Sequence, residues 1–229
     1  TYLIQNSLWW VEYAGLSGIR VDTYSYSDRA FLTEWSRRLT EEYPRLGIVG
    51  EVWSSAPQIV AHWQRGGKPQ DGSVSYLPGL FDFPLQEAMI KGLNEPEGSG
   101  TGLRRIYHAL TADGLYADPD QLVVFHDNHD ISRTLTALGD RQDLNRMALA
   151  FVLTTRGIPQ IFYGTEVLMR NPGTEDHGVI RSDFPGGWPG DSTDAVSGRG
   201  LAPDAAALQR DLRQLLQWRS NSPAIREGR

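Results

Sequence analysis

GIRVD, residues 18–22, runs a short apolar stretch into a carboxylate, and the pattern recurs as GIVGE at 47–51 and within LVVFHDNHD at 122–130. Ile and Val favour strand interiors, so an acid that closes such a run projects from the strand's end instead of entering the core. Helical periodicity follows the first and third runs, while GIVGE leads into a loop near Gly66 and Gly67. After GIRVD, Phe31, Trp35 and Leu39 recur four apart with Leu32 beside them until Pro44, which predicts a helix from about Asp28 to Tyr43. LVVF predicts a buried strand, Leu144, Met147, Ala148 and Phe151 the helix after it, PQIFYG a last strand, and Leu208, Leu212, Leu215 and Arg219 a last helix. Between them, VSYLPGLFDFPL predicts a strand weakened by its prolines, and EPEGSGTG separates amphipathic stretches at Leu85 to Leu93 and Leu103 to Leu110. Strands alternating with helices imply an α/β protein with a parallel sheet.

Composition narrows the functional classes. A chain of 229 residues, 40% apolar, can bury a substantial core. A net charge of -6 with no Lys/Arg cluster gives no electrostatic reason to bind nucleic acid. No apolar run approaches the roughly 18 residues of a membrane span, and TYLIQNSLWW lacks a basic leader region, so no membrane partner is expected. Zero cysteines exclude disulfides and thiolate metal sites. A start on Thr1 without Met suggests a chain cut from something longer. No repeats or linkers stand out, and the Gly-, Pro- and Asp-rich stretch at about 171–200 reads as one long functional covering loop.

Four stretches resemble, in order, the motifs of the α-amylase family of glycoside hydrolases: GIRVD, GIVGEVW, FHDNHD, and GIPQIFYGTE at 157–166, where Phe162 replaces the first Tyr of the usual pattern. TYLIQNSLWWVEYAGLSGIRVDTYSYSD and DHGVIRSDFPGGWP further resemble its neopullulanase and cyclomaltodextrinase branch. The resemblance implies a (β/α)8 barrel. Five strands, near residues 18, 47, 76, 122 and 158, are readable where such a barrel has eight, so residues 1–229 are expected to form an incomplete barrel domain, roughly strands four to eight with their helices. The family's D-x-x-x-N-H segment on the third strand has no counterpart, and the open edge predicts a marginal fold.

The resemblance also implies roles. Asp22 would be the nucleophile of a retaining glycosidase, held ionised by Arg20 two residues earlier on the same strand face. Glu51 would be the acid and base, a role that needs a carboxyl able to keep its proton, which apolar Trp53 and negative Asp22 would favour. Asp130 would bind sugar hydroxyls and stabilise the oxocarbenium-like transition state, with His129 and Asn128 beside it. Tyr24, Tyr26, Trp53 and Tyr163 are candidate stacking platforms for pyranose rings. Ser25 and Tyr26 stand where many relatives carry Lys and His, which implies a differently built acceptor site. His177, Arg181, Asp183 and Trp188 are candidates to line the cleft, and Arg133 is expected to pair with a nearby acid.

The expected substrate is an α-glucan: maltooligosaccharides, cyclodextrins, starch or pullulan. Hydrolysis through a covalent glucosyl ester is the first expectation, with transglycosylation, a non-catalytic sugar-binding protein and an inert fragment as alternatives. No cofactor is needed for chemistry that two carboxyl groups complete, so the metal-like cluster His126, Asp127, Asn128, His129 and Asp130 is not read as a metal site, and within it Asn128, His129 and Asp130 are the residues expected to meet the sugar. Structural calcium, common in relatives, is compatible with this but assignable to no residues.

Overall fold

The computed structural model describes residues 1–67, 69 and 71–227. Helix α1 (Tyr2–Ala14) leads into strand β1 (Gly18–Val21), helix α2 (Arg29–Glu42), strand β2 (Gly47–Gly50), the short helix α3 (Pro57–Ala61) and strand β3 (Gly79–Phe81). Helices α4 (Phe83–Asn94) and α5 (Arg104–Thr111) precede strand β4 (Leu122–Phe125); α6 (Thr134–Ala137) and α7 (Gln142–Thr154) precede strand β5 (Ile158–Gln160). The short α8 (His177–Ile180), the long α9 (Pro203–Asn221) and α10 (Pro223–Glu227) follow. Strand order is chain order, β1-β2-β3-β4-β5, and β1–β2, β2–β3 and β3–β4 pair in parallel. Parallel neighbours joined through helices are consecutive β/α units, the expected partial barrel topology.

Two compact units divide the chain: Thr1–Ala88 with Ile106–Val124, and Met89–Arg105 with Phe125–Arg229. In the first, Ile48, Leu80 and Leu122 from successive strands join Leu32, Trp35 and Leu39 of α2 and Ile4 and Val11 of α1 in one buried cluster. The α2 residues are those whose four-residue spacing predicts the helix. Asp28 caps it, its carboxylate accepting the Phe31 N–H at 2.8 Å, and the helix ends at Glu42, ahead of Pro44. Gly15, at φ 63°, closes α1 in the left-handed conformation that glycine adopts without steric cost. In the second unit, Leu149 and Leu153 of α7 bury against Leu208 and Leu212 of α9.

β1 is the end of the strand order, and its burial alternates between exposed and half-buried, whereas all four residues of β4 are buried. The contrast follows from position in the sheet: β4 is covered on both faces, as strands of parallel sheets usually are. Trp9, Trp10 and Tyr13 of α1 are exposed, Trp9 stacking nearly parallel on Tyr13 at 4.6 Å and Trp10 meeting both rings edge-on. The 171–200 region carries α8, an isolated antiparallel bridge between Asp194 and Arg199, and otherwise turns. Among the described residues, no helix is long and apolar enough to cross a membrane.

Candidate active site

Val21 pairs with Gly50 at the ends of β1 and β2, so the next residues of each chain segment, Asp22 and Glu51, leave the same end of the sheet. Arg20 joins them. Its Nη1 donates to Asp22 Oδ1 at 2.7 Å and its Nη2 to Glu51 Oε1 at 2.9 Å. A guanidinium is planar and rigid, so one fork gripping both carboxylates fixes their separation and orientation together. The second Glu51 oxygen accepts the Thr23 N–H at 2.9 Å. Thr23 has φ 44°, a left-handed conformation rare for a β-branched residue, and the strained turn is what aims that N–H at Glu51. The two acids differ in setting: Glu51 is buried, only 3% exposed, while the Asp22 side chain is 66% exposed. An accessible carboxylate beside a sheltered one suits attack by the first and proton transfer by the second.

The floor beneath Glu51 is tightly packed. A Cβ on Gly50 would stand 2.6 Å from Leu77 Cδ2 and 3.0 Å from Tyr24 Cγ. Gly50→Ala is therefore expected to cost about 1–3 kcal/mol and to displace Glu51. A thermal melt checks this, and an unchanged melting temperature would refute the crowding. Tyr24, expected as a sugar platform, is instead a core residue: it is 1% exposed, and its ring meets Trp63 edge-on at 5.7 Å. Burial pushes its phenol pKa up, outweighing the bonds to Ser36 and Ser75, and its backbone N–H donates to the Glu51 carbonyl at 2.9 Å. A ring so placed offers no face to a ligand. Tyr26 is exposed, and Trp53 is half-exposed with one face stacked on Phe83 at 5.0 Å. Trp53 thus has an aromatic partner of its own.

Asn128, His129 and Asp130 belong to the second unit. Asn128 Oδ1 accepts the Asp130 N–H at 2.8 Å and shapes the turn after β4. His129 Nε2 lies 3.0 Å from Asp130 Oδ2, and Arg181 Nη2 donates to Oδ1 at 2.5 Å, so both oxygens of a side chain only 17% exposed are held. His126 and Asp127, fully buried, serve structure. Asp127 pairs with His126 Nδ1 at 2.8 Å and accepts the Thr134 N–H at 2.8 Å and the Thr165 hydroxyl at 3.2 Å. Among the described residues no group of three or more His, Asp or Glu is arranged to hold a metal ion.

Arg133 departs from its expected ion pair with a nearby acid. It is 1% exposed, its Nε donates to the Ile180 carbonyl at 3.0 Å and its Nη1 to the Tyr163 carbonyl, and it lies over the rings of Phe162 and Tyr163 at 4.0 and 4.8 Å. Carbonyl and ring contacts hold a buried guanidinium without a bonded carboxylate, and burial lowers its pKa despite the nearby charge of Asp127. Tyr163 keeps part of its surface and donates its hydroxyl to the Ser182 carbonyl at 2.9 Å. In the long loop Arg181 reaches Asp130, with His177 beside it, and Trp188 is exposed. The Arg181–Asp130 bond had no local sequence signal: the partners lie 51 residues apart.

The chain is 26% identical over 166 residues to an intracellular maltogenic amylase of Bacillus subtilis, covering 72% of this chain and 26% of the relative. It is 30% identical over 175 residues to neopullulanase 2 of Thermoactinomyces vulgaris, covering 73% of this chain and 26% of the relative. Among solved structures, the acarbose complex of an α-amylase from Geobacillus thermoleovorans superposes with a TM-score of 0.76 at 25% identity, over 99% of this chain and 45% of that one. The chain thus spans about a quarter of those two curated relatives and under half of that enzyme. The family described as the catalytic domain of α-amylase matches residues 4–224, nearly the whole sequence, and the chain belongs to that family, its five strands forming part of the (β/α)8 barrel.

Proposed function

We propose that this chain carries the catalytic carboxylates of a retaining α-glucan hydrolase. The observation that bears most on this is the single Arg20 fork gripping Asp22 and Glu51 at the end of adjacent parallel strands. Retaining glycosidases need two carboxyl groups about 5 to 5.5 Å apart, one to attack the anomeric carbon and one to protonate the leaving oxygen. Asp22 takes the first role. Its exposed carboxylate attacks C1, the bond to the leaving oxygen breaks, and a glucosyl ester forms. Glu51 gives the leaving oxygen its proton and then removes one from the water that opens the ester. Before giving that proton, Glu51 must hold it in place of part of its bond from Arg20. Asp130 and His129 are read as binding sugar hydroxyls, and Asn128 holds the Asp130 backbone. Tyr26 and Trp53 remain as candidate ring platforms.

Substrates of this class are maltooligosaccharides, cyclodextrins, starch and pullulan. Relatives named for maltogenic amylase and neopullulanase activity support that range. A cyclomaltodextrin glucanotransferase of Klebsiella oxytoca, 25% identical over 99% of this chain and 36% of its own length, favours a second reading in which a sugar hydroxyl opens the ester instead of water. Product analysis decides between the readings, using a polypeptide that joins this chain to the strands expected upstream. Shorter maltooligosaccharides with a first-formed α-anomer are expected. Products longer than the substrate would indicate transfer, and a first-formed β-anomer would indicate inversion and refute the retaining route.

A further inference from the structure

Arg181 does more than neutralise Asp130. Its Nε donates to the His129 carbonyl at 2.8 Å while its Nη2 donates to Asp130 Oδ1 at 2.5 Å, so the guanidinium is pinned to the backbone of the segment whose carboxylate it holds. The same Nη2 lies 2.8 Å from His177 Nδ1, one turn earlier in the loop. That turn is anchored independently. Asp176 caps α8 by accepting the Gly178 N–H at 2.6 Å, Ile180 is 1% exposed, and buried Arg133 holds its carbonyl at 3.0 Å.

We propose that Arg181 is a positioning residue for the Asp130 carboxylate, a role that rests on reading Asp130 as a sugar-binding acid. An Asp side chain in the turn after a strand has two torsions to fix. Arg181 fixes Oδ1 and His129 fixes Oδ2, and each carboxylate oxygen keeps a further lone pair able to accept from a hydroxyl. Such preorganisation means that binding need not order the carboxylate. A rigid fork can reach the His129 carbonyl and Asp130 together; a lysine ammonium supplies the charge without that two-point geometry.

Maltotriose affinity, measured by NMR titration of the full chain, tests this with Arg181→Gln, Arg181→Lys, Asp130→Asn and the double variant Arg181→Gln/Asp130→Asn. Each single change is expected to weaken binding by about tenfold, and the double variant to bind within about twofold of Asp130→Asn, because Arg181 acts through the carboxylate already removed. Hydrogen exchange at the Arg181 and Ser182 amides, which bond to the His177 and Val179 carbonyls, is expected to stay slow in the Arg181 variants. Three outcomes would overturn the role: additive losses in the double variant, full affinity in Arg181→Lys, or loss of amide protection, which would make Arg181 only a tie for the loop. Those outcomes leave the sugar site standing. No maltotriose binding by the unaltered chain, with the turn still protected, would instead remove the sugar site on which the inference rests.

Discussion

Asp22→Asn and Glu51→Gln are each expected to lower turnover on α-glucans by about a thousandfold or more, in an active polypeptide containing this chain, while leaving it folded. An amide at Asp22 keeps the size and much of the hydrogen bonding but supplies no anionic oxygen to attack C1. An amide at Glu51 can still accept from Arg20 or Thr23 yet has no proton to give. The losses should differ in kind. Glu51→Gln is expected to keep only the first step, formation of the ester, on substrates whose leaving group needs no proton, with opening of the ester by water still slow, while Asp22→Asn is expected to lose both steps. Either variant retaining more than about a tenth of wild-type turnover would make a catalytic role untenable, since a factor of ten is only about 1.4 kcal/mol of barrier.

Asp127 carries the largest expected effect on stability. It is fully buried and accepts bonds from Thr134 and Thr165 while paired with His126. Burial alone would raise its pKa, but His126 by charge and hydrogen bond, the Thr134 N–H and the charge of Arg133 together hold it below the usual aspartate value. Because the folded pKa is depressed, the stability this carboxylate contributes is present above its unfolded value, about 3.9, and is lost as pH falls toward the folded one. Asp127→Ala is expected to cost about 3–5 kcal/mol at neutral pH by leaving His126 and the Thr134 N–H without their partner. Asp127→Asn should cost less and flatten the decline in stability as pH falls below the unfolded value of about 3.9, relative to the unaltered protein. Urea unfolding at neutral and acid pH checks both, and identical pH slopes in the two proteins would contradict the assignment.

The sequence pattern identified the elements whose local chemistry was consistent. GIRVD and GIVGE become β1 and β2 with their acids just beyond the last paired residue, and the 31, 35, 39 spacing becomes α2. VSYLPGLFDFPL shrinks to Gly79–Phe81: Pro78 has no backbone donor to extend the ladder before it, and helix α4 begins at Phe83 just after it. α1 left no usable pattern. It buries only Ile4 and Val11, seven apart, while Trp9, Trp10 and Tyr13 face outward, so hydrophobicity points to the wrong face. At the site, Arg20 with Asp22 was legible because strand period alone puts them on one face. The burial of Tyr24, the carbonyl-bound Arg133 and the Arg181 grip on Asp130 were not. Each depends on partners far apart in sequence: Gly50 and Trp63 for Tyr24, Ile180 for Arg133, and 51 residues of intervening chain for Arg181.

On the retaining route proposed above, Asp22 forms the covalent bond to the sugar. In Glu51→Gln, α-glucosyl fluoride can still glycosylate the enzyme, because fluoride departs without acid help, while the ester lacks a base to activate water and should accumulate. Rapid acid quench followed by peptide mass spectrometry measures where the sugar resides. A glucosyl adduct on the peptide containing Asp22, absent from Asp22→Asn/Glu51→Gln, is the predicted result. An adduct on another carboxylate, or fluoride release with no adduct and a β-anomeric product, would contradict it.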